Sequence, residues 1–216
     1  MAFGSSPVLD NFNRADGDGL GSNWTEPVFS ADTGSDWDIS SNQAASGGGS
    51  NRSSAYWNPA TFGANCEAYV TIATKPGTNG RVAELYARLV NIDGTPGGYM
   101  VRAITQAGTD LVRIIRLNED GSLTQLGADI SQEIANGDKL GIECIGDQIA
   151  AYLFTGGSWA QLGVRTDSTF GGAGNVGIGT NVGSTRLDDF AAGTVSNTKS
   201  MVYNPQRRNM LGLLPR

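Results

Sequence analysis

The sequence contains no histidine, and this absence removes several kinds of catalytic site. Without imidazole, the chain cannot build a Ser-His-Asp triad or a Cys-His pair. It cannot build a zinc site with imidazole ligands, and no side chain has an ordinary pKa close to neutrality. The function classes that remain are carboxylate catalysis, a lysine or cysteine nucleophile, calcium binding, and roles without catalysis.

Cysteine and continuous apolar sequence are scarce as well. The only two cysteines, Cys66 and Cys144, lie far apart, and so sparse a count favours two buried free thiols over one structural disulfide. No stretch has the composition of a membrane span, and the opening residues MAFGSSPVLD lack the basic and apolar regions of a signal peptide. We therefore expect synthesis in a reducing cytoplasm.

Charge is distributed unevenly along the chain. The net charge of −6 comes from 15 basic and 21 acidic residues. Residues 193–216 contain Lys199, Arg207, Arg208 and Arg216 and no acidic residue, whereas residues 1–192 hold the other 11 basic residues and all 21 acidic ones. Residues 1–192 thus carry a net charge of −10, and residues 193–216 carry a net charge of +4. An acidic body disfavours binding to nucleic acid or membrane, and a basic tail is typical of an interaction segment.

Glycine, in contrast, is abundant: 31 of the 216 residues are glycine, about twice the usual share of roughly 7%. Turn sequences such as Pro76-Gly77 and Asp120-Gly121 separate segments in which apolar and polar residues alternate. The predicted strands are Trp37–Ile39, Ala55–Trp57, Glu67–Thr74, Arg81–Val90, Gly98–Gln106, Asp110–Leu117, Lys139–Ile145, Gln148–Phe154, Trp159–Val164, Asn175–Thr180 and Leu187–Ala192. The only helix-like stretch is Ile130–Ala135. This pattern predicts an all-β sandwich or barrel.

Two motifs mark the ends of the predicted domain. They are Asp10-Asn11-Phe12-Asn13-Arg14-Ala15-Asp16, followed by Leu20-Gly21 and Trp24, and Leu187-Asp188-Asp189-Phe190. The pair resembles concanavalin A-like lectin/glucanase (laminin-G-like) jelly-roll domains, especially the compact versions found in tailed-phage virion proteins. The resemblance covers about residues 8–192 and implies a two-sheet antiparallel jelly-roll sandwich. Its first and last strands are expected to pair, with Phe12, Trp24 and Phe190 closing the core and with Asp188 and Asp189 accepting Arg14 or backbone amides.

The resemblance leads to the first functional hypothesis, a structural bacteriophage protein of the virion surface. We interpret 1–192 as the sandwich domain and 193–216 as an extended anchoring tail. The tail residues expected to contact a partner are Tyr203, Arg207, Arg208, Met210, Leu211, Leu213 and Leu214. In this hypothesis the chain is a capsid decoration (cement) protein. It forms a homo-oligomer, binds the major capsid protein or another virion protein through the tail, and is not an enzyme.

The alternative hypothesis is a lectin-like carbohydrate-binding module that contacts host glycans. Trp57 and Trp159 are expected to be exposed, where their rings could stack on sugars. Glu84 and Arg88 share a predicted strand face with Tyr86, and Arg102 or Arg113 is expected nearby. The competing interpretation of the same residues is ordinary aromatic packing and an ion-paired row on a sheet face.

A third hypothesis is a polysaccharide hydrolase or lyase that uses Glu84. A glycosidase needs two carboxylates held across the scissile bond, and glucanases of the resembling fold carry a Glu-x-Asp-x-x-Glu strand. No Glu-x-Asp occurs in this sequence, and the His–Tyr pair used by alginate lyases of that fold cannot form without histidine. These two absences favour a protein that is not an enzyme.

One short motif suggests calcium binding. Asp16-Gly17-Asp18-Gly19 places two carboxylates in a glycine-rich loop, as calcium-binding relatives of the resembling fold often do. The motif lacks the further oxygen ligands and the distal Glu of a complete calcium loop. A plain turn without a bound metal is therefore the favoured interpretation, and no cofactor is expected.

The segment Gly172-Ala-Gly174-Asn-Val-Gly177 matches the dinucleotide-binding pattern Gly-x-Gly-x-x-Gly. That pattern binds phosphate only where a helix follows the glycines. Here a predicted strand, Asn175–Thr180, follows instead. We therefore predict a turn that enters a strand lying close to its neighbour.

Overall fold

The computed structural model describes residues 3–26, 37–46, 52–77, 79–181 and 183–196. These residues form β-strands, turns and loops, and none of them is helical. The strands are β1 (Val8–Asp10), β2 (Gly17–Asp18), β3 (Trp24–Thr25), β4 (Trp37–Ser40), β5 (Gln43–Ser46), β6 (Ser53–Trp57), β7 (Cys66–Thr74), β8 (Val82–Val90), β9 (Gly97–Ile104), β10 (Leu111–Leu117), β11 (Leu123–Gln125), β12 (Ile130–Ser131), β13 (Lys139–Ile145), β14 (Gln148–Thr155), β15 (Ser158–Thr166), β16 (Asn175–Thr180) and β17 (Arg186–Thr194). No helix among the described residues is long and apolar enough to span a membrane.

The strands form two antiparallel sheets packed as a jelly-roll sandwich. The nine-stranded sheet has the order β15-β14-β13-β7-β17-β5-β4-β2, with β1 added on β17. The eight-stranded sheet has the order β11-β10-β9-β8-β16-β6-β3, with β12 added on β10. The predicted fold class, an all-β two-sheet antiparallel sandwich, is confirmed. The prediction of a helix-like stretch at 130–135 was wrong. Its first two residues, Ile130 and Ser131, form β12, which pairs along the edge of β10.

The core lies between the sheets, where alternate residues of each strand point inward. In β8, Leu85 and Ala87 belong to the main apolar cluster, whereas Glu84 and Tyr86 lie on the outer face. In β7, the side chains that face inward in the same way are those of Cys66, Ala68, Val70 and Ile72. Each fully buried leucine contributes about 1.5–3 kcal/mol to folding. This alternation decides which side chains the outer faces can present.

The two end motifs meet as predicted. β1 pairs with β17, and the rings of Trp24 and Phe190 lie 4.9 Å apart in the core, with Phe12 5.8 Å from Trp24. Arg14 does not reach the second motif, because it forms a salt bridge of 2.8 Å with Asp10 instead. Asp188 was expected to accept either Arg14 or a backbone amide. It accepts the backbone N–H of Asp189.

The predicted anchoring tail lies mostly outside the described residues. β17 continues to Thr194, past the predicted start of the tail at 193, and the described chain ends at 196. The predicted partner-binding residues Tyr203, Arg207, Arg208, Met210, Leu211, Leu213 and Leu214 are all outside the described ranges. The capsid-decoration role that rests on them stays a prediction, as does the virion location.

Candidate functional site

The outer face of the eight-stranded sheet carries a buried carboxylate held by two arginines. Glu84 on β8 is completely buried, and Arg102 lies directly opposite it on β9. Arg102 Nε donates to Glu84 Oε1 at 2.7 Å, and Arg52 Nε donates to Glu84 Oε2 at 3.0 Å. The Tyr86 hydroxyl also donates to Glu84 Oε2. We call these four residues the Glu84 network.

The network keeps Glu84 charged in spite of its burial. Burial alone would raise the pKa of Glu84, but the charges of Arg52 and Arg102 and the hydrogen bond from Tyr86 lower it below its ordinary value. The Arg52 and Arg102 side chains are 22% and 18% exposed, whereas that of Glu84 is fully covered. One negative and two positive charges leave the network with a net positive charge. Glu84 therefore acts as a positioning residue, and the arginines are the groups that reach the surface.

A glycine on the neighbouring strand makes room for this arrangement. A Cβ atom at Gly179 on β16 would lie 2.1 Å from the Tyr86 hydroxyl oxygen and 2.9 Å from Glu84 Oε2. Gly174, at the start of the same segment, approaches the backbone of Arg88 and Leu89, where a Cβ atom would lie within 2.6 Å. The prediction of a strand that lies close to its neighbour is confirmed, and Asn175–Thr180 is strand β16 as expected.

An apolar cluster supports the network on the same face. It contains aromatic, aliphatic and thioether side chains, all buried: Tyr56, Tyr86, Leu89, Met100, Ile115 and Leu117. The Arg52 guanidinium lies 5.8 Å from the centre of the Tyr86 ring, and its Nη2 lies 3.8 Å from Met100 Sδ. Contacts of this kind hold a guanidinium group in place along its flat side.

The charged row continues onto the next strand. Arg113 on β10 is the register partner of Arg102, and it donates to Asp129 through Nε at 2.7 Å and Nη2 at 2.9 Å. The hydrogen bonds to Asp129 raise the pKa of Arg113, and Arg113 in turn lowers the pKa of Asp129. The Arg113 and Asp129 side chains are each 33% exposed. Of the two arginines expected near Glu84, Arg102 contacts it and Arg113 pairs elsewhere.

Arg88 does not share the face of Glu84, and that prediction was wrong. The register of β8 and β9 shifts between Ala87 and Val90, and Arg88 has φ of +51°, so its side chain leaves the outer face. It is fully buried and donates to three backbone carbonyls, at 2.7 Å to Ala64 and Gly146 and at 3.0 Å to Phe170. Arg88 thus ties three loops together inside the protein.

The two tryptophans predicted as sugar platforms have different surroundings. Trp57 is only 7% exposed and packs edge-on against Trp24 at 5.5 Å, so its predicted exposure was wrong. The reason is that its side chain points into the core between the sheets, where Trp24 and Phe190 pack against its ring. Trp159 is half-buried on the other sheet, where Phe3 and Tyr69 contact its ring at 4.7 and 5.4 Å.

The Asp16–Asp18 loop lies at the edge of the nine-stranded sheet. Asp16 Oδ1 accepts the backbone N–H of Ser41 at 2.7 Å, which is a structural use of the carboxylate. Asp18 belongs to β2 and faces Asp38 on β4 in the strand register. Within the described ranges, no group of three or more Asp, Glu, Cys or His side chains is placed to hold a metal ion.

Comparison with known proteins places the fold in a lectin-like class. No family model and no curated protein matches the chain. Among solved structures, the carbohydrate binding module CBM66 from Bacillus subtilis matches with a TM-score of 0.56 and 19% identity, covering 80% of this chain and 96% of that one. The exoplasmic/lumenal domain of VIP36 in its Ca²⁺-bound form matches with a TM-score of 0.56 and 12% identity, covering 88% and 90%.

A larger protein shares the fold over part of its length. Xylan β-1,4-xylosidase from Bacillus halodurans C-125 matches with a TM-score of 0.59 and 15% identity, covering 89% of this chain but only 40% of that chain. At these identities the likeness concerns the fold alone. The chain is a lectin-like jelly-roll sandwich, of the architecture found in lectins and carbohydrate-binding modules.

Proposed function

We propose that the protein is a carbohydrate-binding module, and that the outer face of the eight-stranded sheet is its binding face. The observation that carries this proposal is the Glu84 network, in which a buried carboxylate fixes two arginines that reach the surface. Sugar hydroxyls need donors and acceptors in fixed positions, because each unpaired polar group costs affinity. The fold supports the proposal, since CBM66, which has a similar structure, is a carbohydrate binding module.

The network is suited to hold a sugar without reacting with it. Guanidinium N–H groups of Arg102 and Arg52 donate to ring or hydroxyl oxygens, while Glu84 holds both side chains in place from below. A general acid for glycoside hydrolysis needs a raised pKa. The pKa of Glu84 is lowered, which is the opposite direction. The proposed role is therefore binding, and the absence of enzymatic activity stays a prediction.

The experiment is a binding measurement on the whole chain. Xylo-oligosaccharides, xyloglucan fragments and a mannose-type N-glycan are the first probes, since the similar structures include a xylan β-1,4-xylosidase, the Bacteroides ovatus xyloglucan PUL GH43B and the Man3GlcNAc-bound form of the VIP36 domain. Calorimetry then compares the wild type with Arg102→Lys on the best glycan. The single ammonium group of lysine cannot bind Glu84 and at the same time present further N–H donors to a sugar, as the planar guanidinium group of arginine does. We expect a loss of affinity of about tenfold or more, which corresponds to about 1.4 kcal/mol.

The matched control is Trp159→Phe on the other sheet, which should bind with unchanged affinity. If Trp159→Phe abolished binding while Arg102→Lys did not, the binding face would be on the nine-stranded sheet and the proposed site would be wrong. If a broad glycan array returned no ligand, the proposed function itself would be overturned.

A further inference from the structure

The two cysteines lie directly opposite each other on neighbouring strands. Cys66 on β7 and Cys144 on β13 are register partners in the nine-stranded sheet, and both side chains face the core. Both are buried and reduced. Opposed residues of antiparallel strands have Cα atoms about 4.5 or 5.5 Å apart, and disulfides span Cα separations of about 4.4–6.8 Å. The backbone is therefore already at the spacing that a disulfide requires.

The two thiols are chemically unequal. The hydrogen bond from the Cys144 thiol lowers the pKa of Cys66, and the nearby Arg88 guanidinium lowers it further, although burial acts in the opposite direction. The same hydrogen bond and burial raise the pKa of Cys144 well above its ordinary value. Cys66 is thus the thiol that ionises first, and a thiolate is the nucleophile in disulfide exchange. Cys144 is placed to complete the exchange.

The pair lies at one end of its sheet, beside contacts that can open locally. Cys66 begins β7, and Cys144 lies two residues before Gly146 in the turn to β14. Asn65 Oδ1 accepts the Gly146 N–H at 2.9 Å, and Arg88 holds the carbonyls of Ala64 and Gly146. Strand ends of this kind open at lower free energy than the centre of a sheet. Since Arg88 and Asn65 hold this end closed, we expect an oxidant to reach the thiols when these end contacts break, a local opening that does not require global unfolding.

We propose that Cys66 and Cys144 form a cross-strand disulfide when the protein meets an oxidising low-molecular-weight disulfide. The Cys66 thiolate attacks one sulfur of oxidised glutathione, which breaks the glutathione S–S bond and releases one glutathione thiolate. The Cys144 sulfur, losing its proton to that thiolate, then attacks Cys66 and displaces the second glutathione. The protein loses two hydrogens, and one oxidised glutathione becomes two reduced ones.

The bond would stabilise the sandwich. It links residues 66 and 144, so the chain segment that it closes includes β8, β9 and β10 of the opposite sheet. Closing a loop of this length restricts the unfolded chain much more than the folded one, in which the two residues are already neighbours. The melting temperature should rise by several degrees on oxidation and return when a reductant is added.

The test compares the full chain after equilibration in reduced or oxidised glutathione. The chain is unfolded in N-ethylmaleimide, and its mass is measured. The reduced protein should take up the reagent at both cysteines. The oxidised protein should take up none and should lack the mass of two hydrogens. A parallel sample is refolded from denaturant in the same glutathione mixture, so that slow access to buried thiols does not decide the result.

Three outcomes would overturn the proposal. They are full labelling of both thiols in both samples, a stable mixed disulfide with glutathione, and a disulfide that links two chains. The matched control is the double variant Cys66→Ala and Cys144→Ala, whose melting temperature should not respond to glutathione. If that variant fails to fold, the reversible shift of the wild type on adding and removing reductant still decides the question. The result does not depend on glycan binding.

Discussion

Glu84 and Glu67 are both buried on the outer face of a sheet, but they hold different partners. Glu84 on the eight-stranded sheet binds two arginine side chains that reach the surface. Glu67 on the nine-stranded sheet accepts the backbone N–H groups of Gly4, Ser5 and Ser6, at 3.1, 2.9 and 2.7 Å. A buried glutamate carboxylate thus fixes two arginine side chains on the eight-stranded sheet, and it fixes the backbone of residues 4–6 on the nine-stranded sheet.

The consequence is that the chain's own segment 3–6 covers part of the outer face of the nine-stranded sheet. Phe3 stacks on Tyr152 with ring centres 3.9 Å apart, and a Cβ atom at Gly4 would lie 2.1 Å from Trp159 Nε1. The segment 3–6 therefore packs over the aromatic side chains of the nine-stranded sheet. Comparison of the two faces shows that a buried carboxylate leaves charged groups at the surface only where its partners are side chains that extend to solvent.

The largest expected effect is that of Glu84→Gln. The amide is neutral and leaves two guanidinium groups, each largely buried, without a counter-charge. Removing one partner of a buried ion pair costs about 3–5 kcal/mol, and the partial exposure of the arginines places this case at about 3 kcal/mol. Urea denaturation of both proteins measures the difference. A loss below about 1 kcal/mol would contradict the network's assigned role.

The pH dependence of the same variant is a second measurement. Glu84 has a folded-state pKa below its ordinary value of 4.5, so its stabilising contribution is present above about pH 4.5 and is lost as the pH falls through the folded-state pKa. The stability of the wild type should therefore fall in acid more steeply than that of Glu84→Gln. Parallel curves below pH 4.5 would show that Glu84 does not titrate in this way.

Gly179→Ala should have the next largest effect. Its Cβ atom would overlap the Tyr86 hydroxyl, and the strand cannot yield because β16 is paired on both sides. Overpacking of this kind costs about 1–3 kcal/mol, and displacement of Tyr86 and Glu84 should also weaken glycan binding. The matched control is Gly172→Ala, whose Cβ atom meets nothing within 4 Å. Equal destabilisation of the two variants would contradict the close approach at Gly179.

Glu67→Gln should have a smaller effect than Glu84→Gln, and this difference tests the comparison directly. Glutamine keeps one carbonyl oxygen that can accept some of the backbone N–H groups of residues 4–6, but its NH2 group faces the others. The lost hydrogen bonds should lower the free energy of unfolding by about 1–2 kcal/mol. The change should appear as altered Trp159 fluorescence and faster amide exchange at 4–6, with glycan affinity unchanged. If Glu67→Gln weakened binding as much as Arg102→Lys, the distinction between the two faces would be wrong.

The sequence was sufficient to predict the long strands but not their irregular positions. β13 and β16 agree with the predicted bounds because their alternation is regular and turns flank them. Arg88 was assigned to the wrong face because a period of two assumes a continuous strand, and the register shift beside it has no composition signal. The short strands β2 and β3 escaped prediction, since two residues carry no period.

The Glu84 network was predicted in part for a related reason. Glu84, Tyr86 and Arg102 fall at outward positions of predicted strands, so their proximity follows from alternation. Arg52 precedes β6 in a segment rich in serine, asparagine and glycine, where no local pattern indicates its partner. A fully buried carboxylate with two arginines is a property of tertiary packing. The sequence signal that could have led to it is an outward glutamate on a largely apolar strand, since such a carboxylate requires positively charged partners on neighbouring segments.

Calcium should have the smallest effect, and it tests the remaining edge of the nine-stranded sheet. Calcium takes about six to eight oxygen ligands, whereas one Asp16 oxygen already accepts the Ser41 N–H and the described residues place no group of three or more acidic side chains together. We expect the melting temperature in millimolar calcium to agree with that in a chelator within about 1 °C, because a ligand that does not bind cannot stabilise. A clear rise that disappears in Asp16→Asn would instead make this edge a calcium site. The proposed location of the glycan-binding face would then have to be reconsidered, since a cation beside Asp18 and Asp38 could bind sugar hydroxyls, and the Glu84 network contains no such cation.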